Sequence, residues 1–212
     1  VTGLLVHLLL SRTIAGQRPL TIELKEEIET LISTLSNEMN GNWKKWSIYR
    51  KGKEICDHLS DPAFLNYVGT GTSMATVGQA TLNYKEVTKQ FAEGLTLGAF
   101  RHGPIETVKH SFQGVFLVSD EEGAKATKPV VDNVLNAWGG GKVCLITNHP
   151  KIQQEKETQT PSKNLLVIEN PVKNPYLAPI YEIALLQQQF CIQAEKLGLE
   201  PGKFVNATKI TK

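Results

Sequence analysis

After Asp61-Pro62 the chain alternates short, unbroken apolar runs with helical stretches, and this alternation restricts it to a parallel-sheet fold. The runs are FLNYVGTG (64–71), GVFLVS (114–119), KVCLITN (142–148) and NLLVIE (164–169). Unbroken runs read as strands buried on both faces, because a strand with one wet face alternates apolar with polar residues. Between them the apolar spacing turns helical over 73–93, from about 127 to 138, and over 176–197. Right-handed crossovers place such helices on both faces of a single sheet. The class predicted is therefore α/β, a three-layer sandwich around a mainly parallel sheet.

Residues 1–60 read differently, as a helical arm before an α/β domain at 61–212. A first helix over 3–16 ends at Gly16, with Pro19 just beyond. Thr21 is placed to cap a second helix, and Glu23 puts a negative charge in its first turn, where the helix dipole favours it. Ile22, Leu24, Ile28, Leu31, Ile32 and Leu35 then recur at helical spacing, and Asn40-Gly41-Asn42 breaks the pattern before a further helical stretch over 43–59. Leu4, Leu5, Leu8, Leu9 and the apolar face of 22–35 exceed what one small sheet can cover, which predicts a homodimer or larger oligomer. The opening VTGLLVHLLL has no preceding cation and stops at Ser11-Arg12, short of the ~20 residues that span a bilayer. It reads as a buried helix, and its start without methionine as the continuation of an upstream part.

Composition excludes several functions. Lys plus Arg is 23 against 21 Asp plus Glu, and that near balance, with no basic block interleaved with aromatics, argues against nucleic acid as a partner. Cys56, Cys144 and Cys191 are odd in number and far apart, which fits reduced thiols in a cytoplasmic protein rather than a disulfide framework or a zinc site.

In open α/β sheets ligands gather beyond the carboxyl ends of the strands. There the sequence has Gly69-Thr70-Gly71-Thr72-Ser73, joining the first strand to the helix over 73–93. Its glycines and free amides suit an anion, yet it lacks the third glycine of a dinucleotide fingerprint and reads equally as a tight turn with Ser73 as N-cap. On the helix, Gln79, Asn83, Glu86, Gln90 and Glu93 line one polar stripe, either a solvated face or a functional one. Downstream, His102 stands between Arg101 and Gly103-Pro104, where a permissive residue followed by a fixed one shapes a loop that presents the imidazole. Such a histidine either bonds structurally or moves a proton near neutral pH, and Glu86 on the preceding helix could do the same.

The segment 68–108, VGTGTSMATVGQATLNYKEVTKQFAEGLTLGAFRHGPIETV, resembles the SIS (sugar isomerase) family. It is most like the second SIS domain of glucosamine-6-phosphate synthases and of related sugar-phosphate deaminases and deglycases. The residues that carry the likeness are Tyr84-Lys85-Glu86 and Gly98-Ala99-Phe100-Arg101-His102-Gly103-Pro104, supported by GGGKVCLITN and by the C-terminal stretch from 174 to 212. The resemblance implies a flavodoxin-like sandwich, with residues 1–59 matching the helices that connect two SIS domains. It implies that Glu86 is the base that carries a proton between C1 and C2 of an open-chain sugar. It implies that His102 assists ring opening from a neighbouring subunit and that Lys209 engages the carbonyl end, with Thr208, Gly71 and Ser73 near the substrate. No metal or organic cofactor is implied, and the ligand is a sugar phosphate of the fructose 6-phosphate or glucosamine 6-phosphate class.

Three departures refine this expectation. Ala99 stands where the family has glutamate, which bears on a supporting hydrogen bond but not on the base; Gln79 and Asn83 stand where the synthases have charged residues and the C-terminus lacks their closing motif, which points to a deaminase or deglycase relative. The Ser/Thr-rich loops that grip phosphate in the family's first SIS domain have no counterpart in the chain, which therefore reads as the second domain of a tandem pair. The competing reading is a regulator that binds a sugar phosphate without transforming it, and the joint presence of Glu86, His102 and Lys209 argues for the enzyme.

Overall fold

The structure, a computed structural model, describes residues 2–18, 20–60, 64–109, 111–136, 141–150 and 163–206. Among these, α1 (Thr2–Ile14), α2 (Ile22–Glu38) and α3 (Ser47–Leu59) precede the sheet. Then come β1 (Phe64–Gly69), α4 (Met74–Thr88), β2 (Phe91–Thr96), α5 (Leu97–Arg101), β3 (Gln113–Val118), α6 (Glu121–Asn136), β4 (Lys142–Thr147), β5 (Leu165–Glu169) and α7 (Ala178–Lys196). The five strands pair in parallel in the order β2-β1-β3-β4-β5. The α/β sandwich expected from the apolar runs is thus the fold observed.

Two cores lie on the two faces of the sheet, as a parallel sheet requires. On one face Leu65, Tyr67, Ala92, Val115, Leu117, Cys144 and Ile146 pack with α3, α4 and α7. On the other, Val68, Phe116, Val118, Val143 and Leu145 pack with α5 and α6. α7 is buried along most of its length, from Ala178 to Ala194, so it is a central element rather than a surface helix. Against it runs α3, and Gly52 is what lets the two approach. A Cβ at position 52 would lie 2.9 Å from Cβ of Gln188 and 3.0 Å from the amide nitrogen of Gln189.

Thr21 caps α2 as expected, its hydroxyl accepting from the amide of Leu24 at 3.2 Å. Leu5, Leu8, Leu9, Ile28 and Leu35 pack against the main core, while Val6, Leu10, Ile14, Ile22 and Ile32 are exposed.

Two boundaries differ from the expectation. The helix over 73–93 ends at Thr88, because Lys89 adopts the left-handed conformation (φ 60°) and its amide closes on the carbonyl of Lys85. Residues 91–96 form β2, an edge strand in which Ala92 alone is buried. The helix expected from about 127 begins at Glu121, where the Asp120 carboxylate accepts from the amide of Gly123 at 2.7 Å; Pro129 therefore lies inside α6 rather than in its first turn. Of the polar stretch expected as a loop at 150–163, residues 151–162 lie outside the described residues.

His58 fastens the end of α3 to the sheet. Its Nε2 lies 3.0 Å from the carbonyl of Val143 and 3.1 Å from that of Asn164, so this nitrogen carries the hydrogen and donates. Burial holds the imidazole below its usual value of 6.5, with the two carbonyls opposing. A depressed histidine is bound neutral in the folded state, so its contribution is intact above the ordinary histidine value and is lost as pH falls through the depressed one. His58→Gln keeps an amide donor without a titrating group. In denaturant melts, wild type should lose stability relative to this variant as pH drops below about 6.5; a pH-independent difference would contradict the assignment.

Candidate functional site

The first strand delivers its polypeptide to a 3₁₀ turn, Gly71–Ser73, before α4 begins. Gly71 has φ +52°, and a Cβ there would lie 2.7 Å from Oδ2 of Asp120, the residue that follows β3 and caps α6. Glycine at 71 thus meets both a conformational and a steric requirement. The consequence is electrostatic. The turn that could receive an anion has a carboxylate of its own chain beside it.

Ser73 does not cap α4 with its side chain; it is itself helical (φ −63°, ψ −11°). Its hydroxyl points inward and donates to Oε1 of Glu182 at 2.8 Å. Ser119, just past β3, donates to the same oxygen at 2.7 Å, and Thr76 donates to Oε2 at 2.6 Å. The hydroxyls of Ser73 and Ser119 also touch each other. Glu182 is wholly buried on α7, so this cluster ties the central helix to the carboxyl ends of β1 and β3. Nothing in the sequence reading singled out Glu182, Thr76 or Ser119. The available signal was a lone carboxylate within the apolar run APIYEIALL, since a charge on a fully buried helix needs partners.

Burial pushes the Glu182 carboxyl above its usual range, against the pull of the hydroxyls of Thr76, Ser119 and Ser73. A raised carboxyl favours its neutral form in the folded state. Its contribution is full below the ordinary value of 4.5 and is lost as pH rises through the raised one. Glu182→Gln carries no charge at any pH. The stability of wild type relative to Glu182→Gln should therefore decline as pH rises above about 4.5; a difference that stays constant would mean that Glu182 does not titrate.

Glu86 lies in the last turn of α4, exposed and without an ion pair among the described residues. Beside it, Nζ of Lys89 donates to the carbonyl of Glu86 and, at 2.8 Å, to that of Lys203, and it sits 5.9 Å from the centre of the Phe204 ring. The C-terminal segment is in this way fastened next to Glu86. Thr208 and Lys209 follow it but lie outside the described residues. Gln79 and Asn83 bond each other at 2.7 Å on the exposed face of α4.

His102 stands at the C-terminus of α5. Thr96 caps that short helix by accepting from the amide of Ala99 at 2.9 Å. Phe100 anchors it: the ring is fully buried, with centroids 5.8 Å from those of both Phe112 and Phe116. With the helix fixed from below, His102 is exposed, followed by Gly103 at φ +143° and a 3₁₀ turn that starts at Pro104. The presentation expected from the Gly-Pro pair is what the backbone adopts.

Glu86 and His102 are not brought together within the chain. α4 packs through Val77, Ala80 and Tyr84 on one face of the sheet, and α5 through Leu97 and Phe100 on the other. The thickness of the sheet lies between them. Among the described residues no group of three or more His, Cys, Asp or Glu side chains could hold a metal ion, and no helix is long and apolar enough to cross a membrane.

No family model matches the chain. Over 157 residues, 74% of its length, it is 27% identical to the glutamine–fructose-6-phosphate aminotransferase (isomerizing) of Pyrobaculum aerophilum. It is 26% identical to that of Pyrococcus horikoshii over 184 residues, 86% of its length. The chain is similar in sequence to the glutamine–fructose-6-phosphate aminotransferases. It spans 25% and 28% of the length of these two curated relatives, about a quarter of each. Among solved structures, the C-terminal domain of the glucosamine-fructose-6-phosphate aminotransferase of Francisella tularensis shares the fold, with a TM-score of 0.66 at 21% identity, covering 86% of this chain and 48% of that one. The glucosamine-6-phosphate deaminase of Thermotoga maritima matches with a TM-score of 0.56 at 14% identity, over 94% of this chain and 52% of that one. The likeness to the aminotransferases rests on sequence, and the solved structures show that the fold is shared.

Proposed function

We propose that the chain is part of a sugar-phosphate aldose–ketose isomerase or amino-sugar-phosphate deaminase that works as a homodimer in the cytoplasm. Glu86 is the base. Its carboxylate takes a proton from one of C1 and C2 of the open-chain sugar, and the resulting enediol or enolamine receives it back on the other carbon. His102 assists ring opening, and Lys209 engages the carbonyl end of the sugar, where an amine serves through its charge or as a nucleophile. Such a shuttle needs only a base, an acid and charge stabilisation.

One observation carries the assembly part of this reading. Glu86 and His102 are both exposed, yet they stand on opposite faces of one sheet. General acid–base groups must come within hydrogen-bond reach of the atoms they serve. If both act on one sugar, they come from different copies of the chain. The exposed Val6, Leu10, Ile14, Ile22 and Ile32 of α1 and α2 supply apolar surface for such an assembly.

The same reading assigns the phosphate elsewhere. Gly71 has the Asp120 carboxylate beside it and the hydroxyl of Ser73 is committed to Glu182, so these two residues act through the turn that starts α4 rather than as phosphate donors. A dianion needs several converging donors, which the first SIS domain of the expected tandem pair would provide.

The test of the base is solvent exchange at the sugar carbons. In the full-length gene product, Glu86→Gln should cut exchange of the C1 or C2 hydrogen by ~10²–10⁴-fold while leaving sugar-phosphate affinity nearly unchanged. Exchange at the wild-type rate would remove Glu86 from the mechanism.

A further inference from the structure

On the face of the sheet covered by α5 and α6, the amino-terminal half of β1 and β2 borders a cavity of about 420 Å³. Its walls combine the rings of Phe64 and Phe112, Pro104, and the polar residues Asn66, Glu93 and Lys109. Asn66 is 6% exposed, and its carboxamide has no hydrogen-bond partner among the described residues. The polar atoms of Asn66 are not sealed from the open space that it lines, whereas Oε1 of Gln113, in the same wall, is buried without a partner. Directly across the strand pair stands Glu93, and on the other side of Asn66 is Gly114, which contributes no side chain. Phe112 and Phe116 roof that glycine, 3.0 Å and 3.1 Å from where a Cβ would be.

From this arrangement we infer that the cavity is a binding site for a neutral monosaccharide ring, a site separate from Glu86 and independent of the reaction proposed for it. The chemistry of the lining decides the ligand class. Glu93 only accepts, the Lys109 ammonium only donates, and the Asn66 carboxamide does both. Neither charged group has an ion-pair partner among the described residues. Their charges cancel, which gives a phosphate dianion no net attraction. A hexose answers this set: each hydroxyl donates and accepts, and the C–H face of the ring can lie on Phe64, which is 45% exposed. The volume falls in the range of small-molecule sites. Pro104 and Thr107 belong to the turn that follows His102-Gly103, so an occupant also rests on the segment that presents His102.

Ligand-observed NMR titrations on the 212-residue chain test this, with glucose, glucosamine, glucose 6-phosphate and glycine as probes. Glucose and glucosamine should saturate with dissociation constants of roughly 1–10 mM, the phosphate on glucose should not improve binding, and glycine should not bind. Phe64→Ala and Asn66→Ala should each weaken glucose by about tenfold. Phe64 is surface-exposed at the start of its strand, so its variant serves as the folded control, checked by an unchanged melting temperature. Wild-type glucose affinity in a folded Phe64→Ala, or binding of glycine in place of the sugars, would overturn the assignment.

Discussion

The handedness of two crossovers determines on which face of the sheet Glu86 and His102 stand. From β1 the chain passes through α4 to β2 on one side, and from β2 it returns through α5 past β1 to β3 on the other. Parallel crossovers are right-handed, so connections that travel in opposite directions along a sheet lie on opposite faces. α4 and α5 therefore cannot share a layer, and the cores they bury confirm the separation: Val77, Ala80 and Tyr84 in one, Leu97 and Phe100 in the other. Glu86 and His102 are only sixteen residues apart in sequence, yet this topology keeps them from meeting in one chain.

The second constraint is the buried helix α7. Over its amino-terminal half, residues 178–186, the helix is buried on every side and has no wet face on which to place a charge, and Glu182 is tolerated because three hydroxyls donate to it. Those hydroxyls come from the turn after β1, from the first turns of α4 and from the end of β3. One carboxyl group thereby sets the spacing between the central helix and the edge of the sheet where α/β ligands gather. It also turns Ser73 away from solvent, and Asp120 stands beside Gly71. This sheet edge has a glycine turn of the kind that receives phosphate, with its hydroxyl committed inward and an acid beside it.

Much of this was legible in the residues. β1, β3 and β4 are strands buried on both faces, and each appears as an unbroken apolar run, as does the edge strand β5, in which Ile168 alone is buried. β2 escaped because Glu93 and Gly94 break its apolar run, and because Phe91 continues the helical spacing of Val87. The stop between them is Lys89, a lysine in a conformation that usually calls for glycine or asparagine, so no punctuation marked it. The start of α6 was signalled by Asp120-Glu121-Glu122 and was placed too late because Pro129 reads as a first-turn residue. The exposed placement of His102 was legible because its backbone constraints are local, in Gly103 and Pro104. The Glu182 cluster was not, because its members are distant in sequence and only the fold brings them together.

The separation of Glu86 from His102 is most directly tested by mixing two inactive variants. Glu86→Gln and His102→Ala, each made in the full-length gene product, should lose turnover of the sugar phosphate. If each site takes Glu86 from one copy and His102 from another, unfolding and refolding an equimolar mixture should restore about a quarter of the wild-type rate, since half the dimers are mixed and one of their two sites is intact. A mixture that stays as inactive as its components would contradict it, by showing that both residues serve the same sugar from within a single chain.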